Sequence, residues 1–392
     1  MTGLPVSPRR LLHPGADLSA RAHFQSFARS RLLMTVDAAG GVWRYAMELA
    51  RGLRPLGFDT VFVGQGPLPS QAQQMEAEDV GALAWIDGPL DWMARSEDEL
   101  SRFPATLSAL IEEWRADIVH LNYPSQACGL TVDAPMLTVS HSCVASWWRV
   151  VKGTPLPPEW RWQARRQCEG LHQADAVVTP SVSHSELLRG VYGALPEIHV
   201  VPNAISAILP GEAKDDFVFA AARWWDEGKN AAVLDRAASA VSWPVFMAGP
   251  VEGPGGQRVA IEHAANEDLP YADVLRRVAR AGIFVSPSLY EPFGLAALEA
   301  ARAGAALVLS DIPTYRELWR GAALFFDSRE AGDLAARIEQ LVANPPLRTA
   351  LGRAAAARSL RFTPEIQARR MAGIYDALLE RARPIADLER LA

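Results

Sequence analysis

The stretch "GIFVSPSLYEPFGLAALEAARAGAALVLSD", residues 282–311, contains one complete unit of architecture. "GIFVSPS" is a short apolar run and reads as a strand, "LYEP" as a turn, and "FGLAALEAARAG" as a helix that opens just after Pro292 and stops at Gly304. "AALVLSD" then supplies a second strand. Strand, helix and strand in that order form the crossover of a parallel sheet, so the spacing predicts an α/β fold.

The same alternation runs outward in both directions. From residue 31 the strands are "LLMTVD", "DTVFVG", "ALAWID", "DIVHLN", "PMLTVS", "DAVVTP" and "IHVVPN". The helices between them include "GGVWRYAMELARGLRPLG", which stops by Gly57, "EDELSRFPATLSALIEEW" and "PEWRWQARRQCEGLHQ". The polar stretch "NAISAILPGEAKDD" interrupts this pattern, which restarts with "FVFAAA" and "WPVFMAGP" and ends in "ALFFD". A chain of 392 residues is too long for one ordinary core. Two doubly wound, Rossmann-like domains are therefore expected, residues 1–208 and 209–392, with a boundary near Leu209. They should face a central cleft, because ligands of open α/β sheets bind beyond the carboxyl ends of the strands.

Composition narrows the function. A net charge of −6 argues against a partner such as nucleic acid, whose binding rests on neutralising phosphates over a broad surface. The three cysteines, Cys128, Cys143 and Cys168, form no C-x-x-C pair and suit a reducing cytosol. No run approaches the ~18 apolar residues of a membrane span, and the basic lead-in before residue 31 lacks a hydrophobic signal core. The expected location is cytoplasmic, with at most peripheral contact at the inner membrane face.

The chemistry should lie in loops that follow strands. No H-E-x-x-H, clustered Cys/His or Asp-x-Asp spacing supports a metal site, and no G-x-S-x-G elbow or Walker loop appears. "GQG" at Gly64 and "EGPGGQ" from residue 252 lack the dinucleotide spacing. "AAGGVWRY" places Gly40 and Gly41 between strand and helix, as a tight turn or as a site where a ligand approaches backbone amides. "AARWWDEGKN" puts Arg223 and Lys229 in one loop, either as surface cations beside Asp226 and Glu227 or as partners for the charge that develops on a departing diphosphate. Glu291 precedes the helix in the opening stretch and Glu299 lies about two turns in, so they are roughly 10 Å apart. A retaining glycosidase pair sits at only ~5–5.5 Å, so these carboxylates suit two ends of one elongated ligand, with the amides of Phe293, Gly294 and Leu295 between them.

"EPFGLAALE" resembles the E-x7-E element of the family 4 retaining glycosyltransferases of the GT-B fold, and residues 271–319 around it look like that family throughout. "GGVWRY" resembles the family's N-terminal glycine loop, "LTVSHS" its strand-end histidine motif on His141, and "VVPNAI" its P-N-G-V-D segment on Asn203. "AARWWDEGKN" is similar to its arginine and Lys-Gly loop. The chain departs from the pattern at Ala222, Asn230, Ala204 and Ser142, and its cation loop is one residue longer than usual.

The resemblance implies a metal-independent transferase that needs no cofactor and moves a sugar from a nucleotide-diphosphate sugar to a carbohydrate, lipid-linked or small-molecule acceptor, as in bacterial glycan biosynthesis. It implies that Glu299 holds the ribose and that Glu291 with the amides of Phe293 to Leu295 holds the sugar. Arg223 and Lys229 would bind the diphosphate, Gly40 and Gly41 would let backbone approach the donor from the opposite domain, Asn203 would help bind it, and His141 would sit beside the sugar. The last helix, about 364–383, is expected to pack back on the N-terminal domain. In "ASWWRVVKGTPLPPEWRWQARR" the residues Trp147, Trp148 and Arg149 are expected to meet the acceptor, unless these tryptophans are core. Two other readings stand beside the transferase: a GT-B nucleotide-sugar epimerase, and a non-catalytic nucleotide-sugar-binding partner subunit.

Overall fold

The computed structural model describes residues 9–10, 29–206 and 213–382 and contains two sheets, each flanked by helices. The first part of the chain runs β1 (Arg9–Arg10), β2 (Ser30–Val36), α1 (Gly41–Leu53), β3 (Phe58–Gln65), α2 (Gln71–Glu78), β4 (Ala82–Ile86), α3 (Phe103–Glu113) and β5 (Ile118–Leu121). It continues with β6 (Met136–Val139), α4 (Val144–Val151), α5 (Arg161–Gln173), β7 (Ala176–Thr179), α6 (Val182–Tyr192) and β8 (Ile198–Val200). These strands order as β1-β4-β3-β2-β5-β6-β7-β8, all parallel except β1, which runs antiparallel to β4.

The second part contains β9 (Asp215–Ala221), α7 (Ala231–Ala238), β10 (Val245–Ala248), β11 (Ala265–Glu267), α8 (Tyr271–Arg280), β12 (Ala281–Ser286), α9 (Leu295–Arg302) and β13 (Ala306–Ser310). After these come α10 (Pro313–Trp319), β14 (Ala323–Phe326), α11 (Ala331–Val342), α12 (Pro345–Ser359) and α13 (Pro364–Ala382). The strand order is β11-β10-β9-β12-β13-β14, parallel throughout. This is the GT-B architecture. The boundary expected near Leu209 lies outside the described residues.

Central strands are buried on both faces, as helix-covered parallel sheets require. Residues 32–36 of β2 and all of β13 are buried without interruption. The final helix leaves the second sheet and returns to the first. Ala368, Met371, Ala372, Tyr375 and Leu378 of α13 join the core that α1 and β2 build. The two helices pack closely, since a Cβ on Gly52 would lie 2.8 Å from that of Ala368.

Two boundaries differ from the sequence reading. Residues 97–114 do not form one helix: a 3-10 turn spans Glu97–Leu100, and α3 starts at Phe103 with Pro104 in its first turn. Proline lacks the amide that a helix interior needs, so it marks a start. Helix α9 begins at Leu295 rather than just after Pro292, because Gly294 adopts a left-handed conformation (φ 92°) as its N-cap. A Cβ there would also lie 2.9 Å from a Tyr315 ring carbon, so both backbone and space demand glycine.

Candidate active site

Loops after β2 and β6 of the first sheet meet loops after β9 and β12 of the second. Gly40 caps α1 in an extended conformation that any residue adopts, so its lack of a side chain matters for space. A Cβ on Gly40 would lie 3.1 Å from Arg223 Nη1, and one on Gly41 would lie 3.4 Å from Leu295 Cδ1. The glycine loop thus lies against the start of α9 and against Arg223 of the opposite domain.

The loop after β9 turns through a 3-10 segment, Glu227–Lys229, which Asp226 caps by accepting from the Gly228 amide at 2.8 Å. Asn230 follows in the left-handed conformation (φ 57°) and donates through Nδ2 to the Pro287 and Ser328 carbonyls. Lys229 Nζ is thereby placed 2.6 Å from Glu291 Oε2, joining the β9 and β12 loops at the cleft. The amide of Leu289 donates to the Gly228 carbonyl at 2.8 Å and holds the same two loops together.

Glu299 is buried on α9, where Tyr271 donates to its Oε1 at 2.7 Å. The Arg44 guanidinium of α1 lies 4.0 Å from the centre of the Tyr271 ring. Burial pushes the Glu299 carboxyl up to about 7, against the pull of the Tyr271 hydrogen bond and the Arg44 charge. His141, at the end of β6, is half-buried against the Tyr45 ring at 4.4 Å, and its Nε2 reaches Asn122 at 2.9 Å. Burial and the neighbouring His120 and His184 lower it to about 3, so it is neutral at pH 7. Asn203 is buried, and its Oδ1 has no partner among the described residues.

The arrangement is a cleft with two cations in one loop, a carboxylate at either end of the α9 start, and a glycine loop opposite. The family model described as "Glycosyltransferase Family 4" matches residues 39–207, and the one described as "Glycosyl transferases group 1" matches residues 267–358. The chain is a glycosyltransferase. This glycosyltransferase is 24% identical over 317 residues to a glycogen synthase of Mycobacterium tuberculosis, covering 70% of its own length and 75% of the relative. It is 27% identical, over an alignment of 410 positions, to a D-inositol 3-phosphate glycosyltransferase of Acidothermus cellulolyticus, covering 90% of this chain and 89% of that one. Among solved structures it resembles Anabaena HepE in complex with UDP and glucose, with a TM-score of 0.68 at 13% identity over 89% of this chain and 99% of that one.

The tryptophan segment of the glycosyltransferase is engaged with protein. Trp147 Nε1 donates to Asp226 Oδ1 across the cleft at 2.9 Å, Trp148 Nε1 to Thr154 Oγ1 at 3.1 Å, and Arg149 to the Gly190 carbonyl. Lys152 pairs with Glu227 at 2.5 Å, and Trp92 stacks on Trp225 with ring centres 6.5 Å apart. Asp226 and Glu227 therefore tie the cation loop to the opposite domain.

Sequence reasoning missed Asp37, Tyr123, Arg44, Tyr271 and Asn122. Asp37 directly follows β2 and is buried, accepting from the Ala39 amide at 2.8 Å and the Tyr123 hydroxyl at 2.6 Å. Burial raises its carboxyl despite those bonds and the Arg223 charge. Its place directly before the glycine loop was the available signal. Arg44 and Tyr271 carried none, because they meet only when the domains do.

Proposed function

We propose that the enzyme transfers a sugar from a nucleoside-diphosphate sugar to an acceptor hydroxyl with retention of configuration and without a metal ion. The observation that carries the reading is the Lys229–Glu291 pair, which joins the cation loop to the turn before α9, while Arg223 of the same loop lies beside Gly40 and Glu299 is buried further along α9. These groups suit a sugar at Glu291, a diphosphate at the two cations and a ribose at Glu299. Opposite them the bare backbone of Gly40 lets the Arg223 guanidinium approach the glycine loop.

In the reaction, the bond between the anomeric carbon and the β-phosphate oxygen breaks and its electron pair goes to the leaving diphosphate. Arg223 and Lys229 meet that growing charge, as preorganised cations aimed at a developing anion should. The acceptor oxygen bonds to the anomeric carbon on the same face, and its proton goes to the departing phosphate oxygen. Two observations support front-face attack over a covalent intermediate: Glu291 is paired with Lys229, and both oxygens of buried Asp37 are occupied.

A thermal-shift panel of UDP-, GDP-, ADP- and TDP-sugars tests the donor class. The matching donor at 100 Kd should add about 2.7 kcal/mol of stability. Glu299→Ala should lose about a third or more of that shift, since it leaves ribose hydroxyls unpaired in the cleft, at a cost of about 1–3 kcal/mol. A chain that responds to none of the four, or equally with and without Glu299, contradicts the reading.

A further inference from the structure

One line of hydrogen bonds runs from the terminal helix to the cleft. The Tyr375 hydroxyl of α13 lies 2.5 Å from His120 Nδ1, and His120 Nε2 lies 3.1 Å from Asn122 Oδ1. His141 Nε2 reaches that same oxygen at 2.9 Å. Asn122 Nδ2 lies 2.5 Å from the Thr35 backbone carbonyl, which only accepts, so the amide nitrogen faces Thr35 and the amide oxygen faces the two rings.

This geometry fixes both tautomers. An amide oxygen only accepts, so His120 and His141 must each carry a proton on Nε2. The other nitrogen of a neutral imidazole is then a bare acceptor. His120 spends its Nδ1 on the Tyr375 hydroxyl. His141 Nδ1 has no hydrogen-bond partner among the described residues and is not one of the buried unpartnered atoms, so it is open to solvent. The line is otherwise closed to water, since His120, Asn122, Thr35 and Tyr375 are all 0% exposed.

We propose that Asn122 is a positioning residue that holds His141 in the Nε2–H tautomer, presenting Nδ1 to accept a hydrogen bond from a hydroxyl of the donor sugar, with Tyr375 securing the far end of the line. The proposal rests on the reading of the cleft as a nucleotide-sugar site and adds a requirement to it. The donor sugar must carry a hydroxyl where His141 stands, and a deoxy sugar at that carbon is a poor donor. It also ties the terminal helix to catalysis, because α13 supplies the hydroxyl that holds His120.

The test is the two-bond ¹H–¹⁵N spectrum of the histidine-labelled full chain, read together with steady-state kinetics. In the parent, His141 should show a protonated Nε2 and a bare Nδ1. Asn122→Leu should give His141 a mixture of tautomers and lower kcat by about 10–100-fold, the range for orienting partners of functional histidines. Affinity for the free nucleoside diphosphate should not change. Tyr375→Phe removes one oxygen atom, spares the packing of α13, and should disturb the His120 tautomer with a smaller fall in kcat. A proton on His141 Nδ1 in the parent, or a His141 spectrum unmoved by Asn122→Leu, overturns the positioning role. Should Asn122→Leu not fold, the parent spectrum and an unchanged His120 in Tyr375→Phe decide against it in the same way. A shifted tautomer with undiminished kcat overturns the sugar contact while leaving donor binding by the cleft to the thermal-shift panel.

Discussion

Glu299 lies among alanines on α9 with 5% of its surface exposed, and its carboxyl holds a proton up to about pH 7. In the unfolded chain the same group ionises near 4.5. Between those values the unfolded state binds fewer protons than the folded one, so this residue makes stability fall as pH rises through the window. Glu299→Gln removes the titration. Its unfolding midpoint, measured against the parent from pH 4.5 to 7, should gain steadily as pH rises, and parallel curves would contradict the buried, protonated carboxyl. Lys229 poses a different question, because in the free protein its charge is taken by Glu291. If the lysine acts on charge that appears only as the phosphate bond breaks, Lys229→Ala should lower kcat by 10²–10³, on the order of one lost oxyanion donor. Donor affinity measured by calorimetry should fall less. A pure KM effect would make Lys229 a ground-state binder.

Helix α13 shows how an element remote from the cleft contributes to it. Met371 is fully buried between α13 and the first domain's core. Met371→Ala should cost about 2–5 kcal/mol, read from denaturant unfolding, as truncations in tight cores do. A loss well under 1 kcal/mol would mean that α13 is only loosely seated. Much of this architecture is legible in the chain because parallel strands buried on both faces appear as unbroken apolar runs, as β2, β12 and β13 do. Edge strand β11, with the sequence "ANE", has no such run and escapes detection. The three-residue stretch 262–264 is held by backbone amides on Asp235, a partnership that no local pattern announces. The meeting of Lys229 with Glu291 is legible because each lies in a loop that follows a strand. Asn122 and Tyr271 are not, since their roles depend on what faces them across the sheet or across the cleft. Trp147 shows the same limit: its aromatic ring reads as a binding platform, yet its indole N–H is committed to Asp226.

At the scale of the whole molecule, the two domains are joined beside the cleft by directional contacts. Glu317 of α10 caps α6 by accepting from the Val182 and Ser183 amides at 2.9 and 2.7 Å. The Ser181 hydroxyl donates to the Pro292 carbonyl at 2.7 Å, next to Glu291. Tyr290 places its hydroxyl 2.8 Å from Ser146 Oγ of the first domain. The last two contacts anchor the 290–292 turn, so the end of the cleft beside Glu291 is built from both domains at once. No helix among the described residues is long and apolar enough to cross a membrane. In the proposed mechanism this two-domain cleft transfers a sugar by front-face departure and attack, with protein cations in place of a metal. The most direct test is ¹H NMR of the transfer reaction in EDTA, run with the donor that the thermal-shift panel identifies, reading the anomeric coupling of the first product formed. Transfer should be undiminished, and the product should keep the donor's anomeric configuration. An inverted product, or transfer abolished by EDTA and restored only by a divalent ion, would rule that mechanism out.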